Sequence, residues 1–131
     1  MTLEEIADTL PNGFHDAQIN SISINYEKRE VTIDLEIWVS DSVEDDSEKY
    51  LAAELKLLHF LFCVIEAPDA TYPYHEEKAL WVDAFSDKSN NVSSTHLPGA
   101  LPEGAFSYLF FVNDWNSFIR VAALDAEIVL H

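Results

Sequence analysis

One segment limits the fold more than any other. From Val31 to Val39 the chain alternates strictly, with Val31, Ile33, Leu35, Ile37 and Val39 separated by Thr32, Asp34, Glu36 and Trp38. Side chains of a strand point to its two faces in turn, so this run predicts a strand with one buried face and one wet face. A strand with a single dry face belongs to an antiparallel sheet, and the run just before it fits as its partner. Gln18 to Tyr26 ends in the period-two pattern Ile22-Ser23-Ile24-Asn25-Tyr26, and the short polar link Glu27-Lys28-Arg29-Glu30 joins the two runs as a hairpin.

Four more strands are expected: residues 50–66, 79–85, 106–112 and 118–130. The first of these is ambiguous. Leu51, Leu55, Leu58 and Phe62 form a helical stripe, whereas Leu55, Leu57, His59, Leu61, Cys63 and Ile65 fit alternation, and the β-branched and aromatic second half favours a strand. Residues 107–112 are apolar on both faces apart from Ser107, which predicts a central strand or one packed in an interface. Ahead of the strands, Thr2 and Glu5 have the spacing of a capping box, and Leu3, Ile6 and Leu10 recur at helical intervals, so residues 3–9 predict a short helix stopped by Pro11-Asn12-Gly13. The expected fold is mainly β: a six-stranded antiparallel sandwich or partly closed barrel with one short N-terminal helix, formed by residues 1–131 as one domain.

The 131 residues carry 24 acidic side chains against 7 Lys and Arg, a formal charge of −17. Such a field repels nucleic acid and anionic lipid, and it favours solubility and cationic partners. With 48% hydrophobic residues the chain has enough apolar material for a core, so the charge does not imply disorder. Met1-Thr2-Leu3-Glu4-Glu5 lacks the basic and apolar regions of a signal peptide, and the longest apolar run falls well short of the ~20 residues that span a bilayer. A single cysteine, Cys63, sits in the apolar run 61–65, where a thiol behaves as a small hydrophobe. These features together predict a cytoplasmic protein.

Candidate chemistry is sparse. His15-Asp16 offers a His and a carboxylate, but neighbours in an extended segment point apart, and Asp16 is expected to bond backbone groups of the turn while His15 caps a sheet edge. His59, His75 and His96 lack zinc-motif spacing. The acidic run 41–48 lacks the alternation and central glycine of a calcium loop and reads as a solvated loop able to steer a basic partner. Residues 87–104 read as a long loop. With only three glycines, a phosphate-cradling loop is nearly excluded, and no nucleophile motif is present. No cofactor or metal is expected.

The aromatic residues Trp38, Tyr72, Tyr74, Trp81 and Trp115 point elsewhere. Trp38 falls on the wet face of the cleanest strand beside Asp34 and Glu36, the composition of an interface anchor with an acidic surround. The binding candidates are therefore His15, Asp16, Asp34, Glu36, Trp38, Tyr72, Tyr74 and Trp115. Leu10-Pro-Asn-Gly-Phe-His-Asp-Ala17, followed by Ile19, Ile22 and Ile24, resembles the opening of small bacterial domains of unassigned biochemistry, and the ending from Asn116 to Glu127 is also similar to theirs. Some proteins with such an opening are grouped with immunity proteins of bacterial toxin systems. That resemblance implies toxin neutralisation and no catalytic residues. Three functions are thus expected in descending order: a binding module for a basic protein, a homo-oligomer packed through 107–112, and a small metal-dependent hydrolase using His15, Asp16, His59 and His75.

Overall fold

The computed structural model describes residues 1–40, 49–74, 76, 78–86 and 101–131. A helix, α1 (Leu3–Thr9), precedes six strands: β1 (Ala17–Asn25), β2 (Glu30–Trp38), β3 (Tyr50–Ile65), β4 (Leu80–Ser86), β5 (Phe106–Val112) and β6 (Ser117–Leu130). They are antiparallel and close into a barrel in the order β1-β2-β3-β6-β5-β4. The architecture is thus the barrel of the two expected forms, and it closes fully.

The inward residues form a ring of apolar pairs. Ile24 faces Val31, Val31 faces Leu57, Leu57 faces Ala126, Val121 faces Tyr108, Val112 faces Val82, and Val82 faces Ala17 on the first strand. Fully burying a Leu, Ile or Phe contributes about 1.5–3 kcal/mol, and a barrel this narrow is filled by its own side chains. α1 lies against β4, β5 and β6. The capping box forms as expected, with the Glu5 N–H on Thr2 Oγ1 at 3.1 Å and the Thr2 N–H on Glu5 Oε2 at 3.2 Å. Leu3, Ile6, Leu10 and Phe14 join the core, and Phe14 meets Phe110 edge-on at 5.9 Å.

Two expectations change in detail. Residues 50–65 are one strand, but its inward phase switches. His59 has φ +51° and is exposed, and Phe60 takes the core position that alternation assigns to His59. A bulge follows between Phe60 and Phe62. The first hairpin secures this kink. Arg29, itself at φ +55°, donates from Nη2 to the Phe60 carbonyl at 2.9 Å, accepts the Phe60 N–H on its own carbonyl, and stacks 4.6 Å from the Phe60 ring. β5 lies between β4 and β6, and part of its outward side is buried as well. Leu109, on its outward side, is fully buried within the chain, as is Ala122 on β6. Arg120, paired with Leu109, is buried too, with Nε 3.8 Å from Glu66 Oε1.

Among the described residues no helix is long and apolar enough to cross a membrane. The acidic run 41–48, His75, His96 and residues 87–100 of the long loop lie outside the described residues.

Candidate functional site: an aromatic and acidic face of the barrel

Because the interior is filled, a recognition surface has to lie outside the barrel or at its ends. Residues of β2 that alternate with the core, Thr32, Asp34, Glu36 and Trp38, face outward, as do Gln18 on β1, Tyr50 on β3 and Trp81 and Asp83 on β4. Register places Trp38 opposite Tyr50, Glu36 opposite Gln18, and Gln18 opposite Trp81. Tyr50 and Trp81 meet edge-on with ring centroids 6.1 Å apart.

The turn between α1 and β1 folds onto this face. Asn12 Nδ2 donates to the carbonyls of Trp38 (3.2 Å) and Ser40 (3.0 Å), which ties the turn to the end of β2. Gly13 at φ +54° and Asp16 at φ +53° let the chain reverse direction before β1. His15 and Asp16 are therefore not in extended backbone, and the expectation that they point apart is overturned. His15 Nε2 lies 3.4 Å from Asp16 Oδ2, and His15 Nδ1 lies 2.5 Å from Asp83 Oδ1. The Asp16 N–H also points at Asp83 Oδ1, at 3.4 Å. The His15 ring sits 5.9 Å from that of Trp38. Tyr50 donates from its hydroxyl to the Asp16 carbonyl at 3.4 Å, so both aromatic pairs belong to one patch.

The hydrogen bond to Asp83 raises the His15 pKa above its ordinary 6.5; the slight burial of the ring opposes the shift, and the charges of Asp16 and Asp83 add to it. Asp83 is hydrogen-bonded at Nδ1 and Asp16 stands 3.4 Å from Nε2, so both carboxylates favour the charged form of the ring. His15, Asp16 and Asp83 bring potential ligand atoms within 4.8 Å of one another, the only such group among the described residues. The geometry thus gathers one imidazole and two carboxylates in a single cluster beside Trp38.

The other candidates separate. Asp34 is exposed along β2 and accepts from Ser21 Oγ at 2.8 Å. His59 lies at the kink of β3 and takes no part in the His15 cluster, so the described members of the expected His15, Asp16, His59 and His75 constellation do not all come together. Tyr72, Tyr74 and Trp115 gather at a different corner, between residues 68–74 and the β5–β6 turn, around a cavity of about 130 Å³. Cys63 packs against the core, and burial pushes its thiol pKa up, away from reactivity.

Asp83 is the residue that the sequence reading missed. It lies 67 positions from Asp16, and its one local signal is a carboxylate two places after Trp81 on the same face of a short strand. The Trp38 indole Nε1 is closed off from solvent and has no acceptor among the described residues. Compared with known proteins, the chain matches no family model, no curated protein and no solved structure.

Proposed function

We propose that the chain is a binding module that engages a basic protein through this outer face, as an immunity-type protein engages a toxin. The observation that carries the reading is the meeting of Trp38, Trp81, Tyr50 and His15 on the outside of a filled barrel, beside Asp16, Asp83 and Glu36. Interface hot spots are enriched in Trp and Tyr, and carboxylates around them select and steer a cationic partner. A charge of −17 acts in the same sense over longer range.

The test is affinity capture from lysate with the wild-type chain and with the double variant Trp38→Ala/Asp83→Asn, at low and at high salt. The reading expects a basic protein retained at low salt, reduced at high salt and reduced again by the variant. No enriched protein under either condition, or one retained equally by the variant, contradicts it.

A further inference from the structure

The second aromatic group has a chemistry of its own. Tyr72, Tyr74 and Trp115 line the corner cavity of about 130 Å³ together with Pro68, Pro73 and Asp114. Its two walls are fastened to each other through Asp69. The Asp69 N–H donates to the Trp115 carbonyl at 2.8 Å, and Asp69 Oδ2 accepts from Asn116 Nδ2 at 3.0 Å. On its own side, Asp69 Oδ1 accepts from the Thr71 N–H (2.9 Å) and Oγ1 (2.7 Å), and the Asp69 carbonyl accepts the Tyr72 N–H. The β5–β6 turn is held in its turn by the Asn113 N–H on the Trp81 carbonyl and the Trp115 N–H on the Val112 carbonyl. The recess is therefore pre-organised, although Tyr72 and Tyr74 are exposed.

Aromatic walls with one carboxylate attract a cation, because ring faces are negative and the carboxylate supplies the countercharge. No Lys or Arg is among the described lining residues. Three cation types suit aromatic walls: a quaternary ammonium, a lysine ammonium and a guanidinium. A quaternary ammonium has no N–H for Asp114, and a lysine ammonium is a compact, strongly hydrated point charge with no face to stack. A planar guanidinium, by contrast, can stack on a ring and donate to a carboxylate in its own plane. We propose that this pocket takes the arginine side chain of a partner protein. The source of the arginine rests on the basic-partner reading above; the chemistry of the pocket does not.

The test is a titration of the ¹⁵N-labelled chain with N-acetyl-arginine methylamide, with its neutral citrulline counterpart and with tetramethylammonium. Saturable shifts are expected at the Trp115 indole and at amides of residues 69–72 and 113–116. The arginine compound should bind roughly tenfold tighter than citrulline, the ratio expected of a partly desolvated cation–π contact with a charge partner. Tyr74→Ala, at a side chain 88% exposed and so without a folding role, and Asp114→Asn should each weaken binding several-fold. Equal binding of citrulline, absence of saturation, or tighter binding of tetramethylammonium overturns the arginine assignment. If the small compound fails while capture still depends on Trp38 and Asp83, only the pocket assignment falls; the reverse result removes the outer-face reading and leaves the pocket.

Discussion

The two aromatic and acidic regions of this barrel differ in where their cation comes from. On the outer face, His15 stands between Asp16 and Asp83, so the patch holds a group of its own that can take up a positive charge. At the corner pocket Asp114 stands with Tyr72, Tyr74 and Trp115, and no Lys or Arg is among the described lining residues. The first arrangement holds a turn of the chain against Trp38. The second is complete only when a cation arrives from outside. Similar composition thus yields one surface whose carboxylates hold a histidine of the chain itself and one open receptor.

The largest expected effect breaks the two regions apart through the core. Phe110 is fully buried and packs edge-on against Phe14, the residue before His15. Phe110→Ala should cost about 3–5 kcal/mol in denaturant unfolding. At concentrations where the variant remains folded, its His15 and Trp38 resonances should move more than those of Tyr72 and Trp115. Equal displacement at both regions would show that they are not separately supported.

Next in size is the turn that carries His15. Gly13 has φ +54°, while the space around it admits a methyl group at 3.7 Å from Ala7 Cβ. Gly13→Ala should therefore cost about 1–2 kcal/mol from backbone strain alone. A neutral result in chemical denaturation would mean the turn relaxes to another conformation, and the His15 pKa would then fall with it.

The smallest effect is electrostatic. The folded pKa of His15 lies above its ordinary 6.5, so its stabilising contribution is whole below pH 6.5 and is lost as pH rises through the raised value. His15→Gln should lower the Tm in mild acid and lose that effect in mild alkali. The ring is largely exposed, so the difference stays below about 1 kcal/mol. Asp83→Asn removes the main cause and should bring the His15 titration, followed by NMR, back toward 6.5; an unchanged midpoint rules out Asp83 as the cause. The corner pocket, holding no such group among its described lining residues, should bind its cation almost independently of pH over the same range.

The strand pattern was legible because each strand declares its faces locally. β2 alternates without interruption, and the helix carries its capping signal within four residues. The closure of β1 on β4 was not legible, since it joins Ala17–Ile19 to Leu80–Val82 across about half of the chain. His59 misled because a single residue at positive φ reverses the phase while the composition continues unchanged. Trp38 could be singled out as an aromatic residue on a wet face, but its partners could not. His15 reaches it through a turn whose positive φ at Asp16 no periodicity reveals, and Asp83 arrives from a distant strand.

The three tryptophans provide the most direct measurement, because Trp38 and Trp81 report the outer face and Trp115 reports the corner. Their indole N–H signals can be followed as the chain is titrated with an arginine-rich peptide, at low and high salt, beside the same peptide carrying citrulline. The account predicts that all three signals shift with the arginine peptide, that salt reverses the shifts, and that citrulline leaves them nearly in place. Shifts of equal size with both peptides, or none at any tryptophan while amides elsewhere respond, would contradict it.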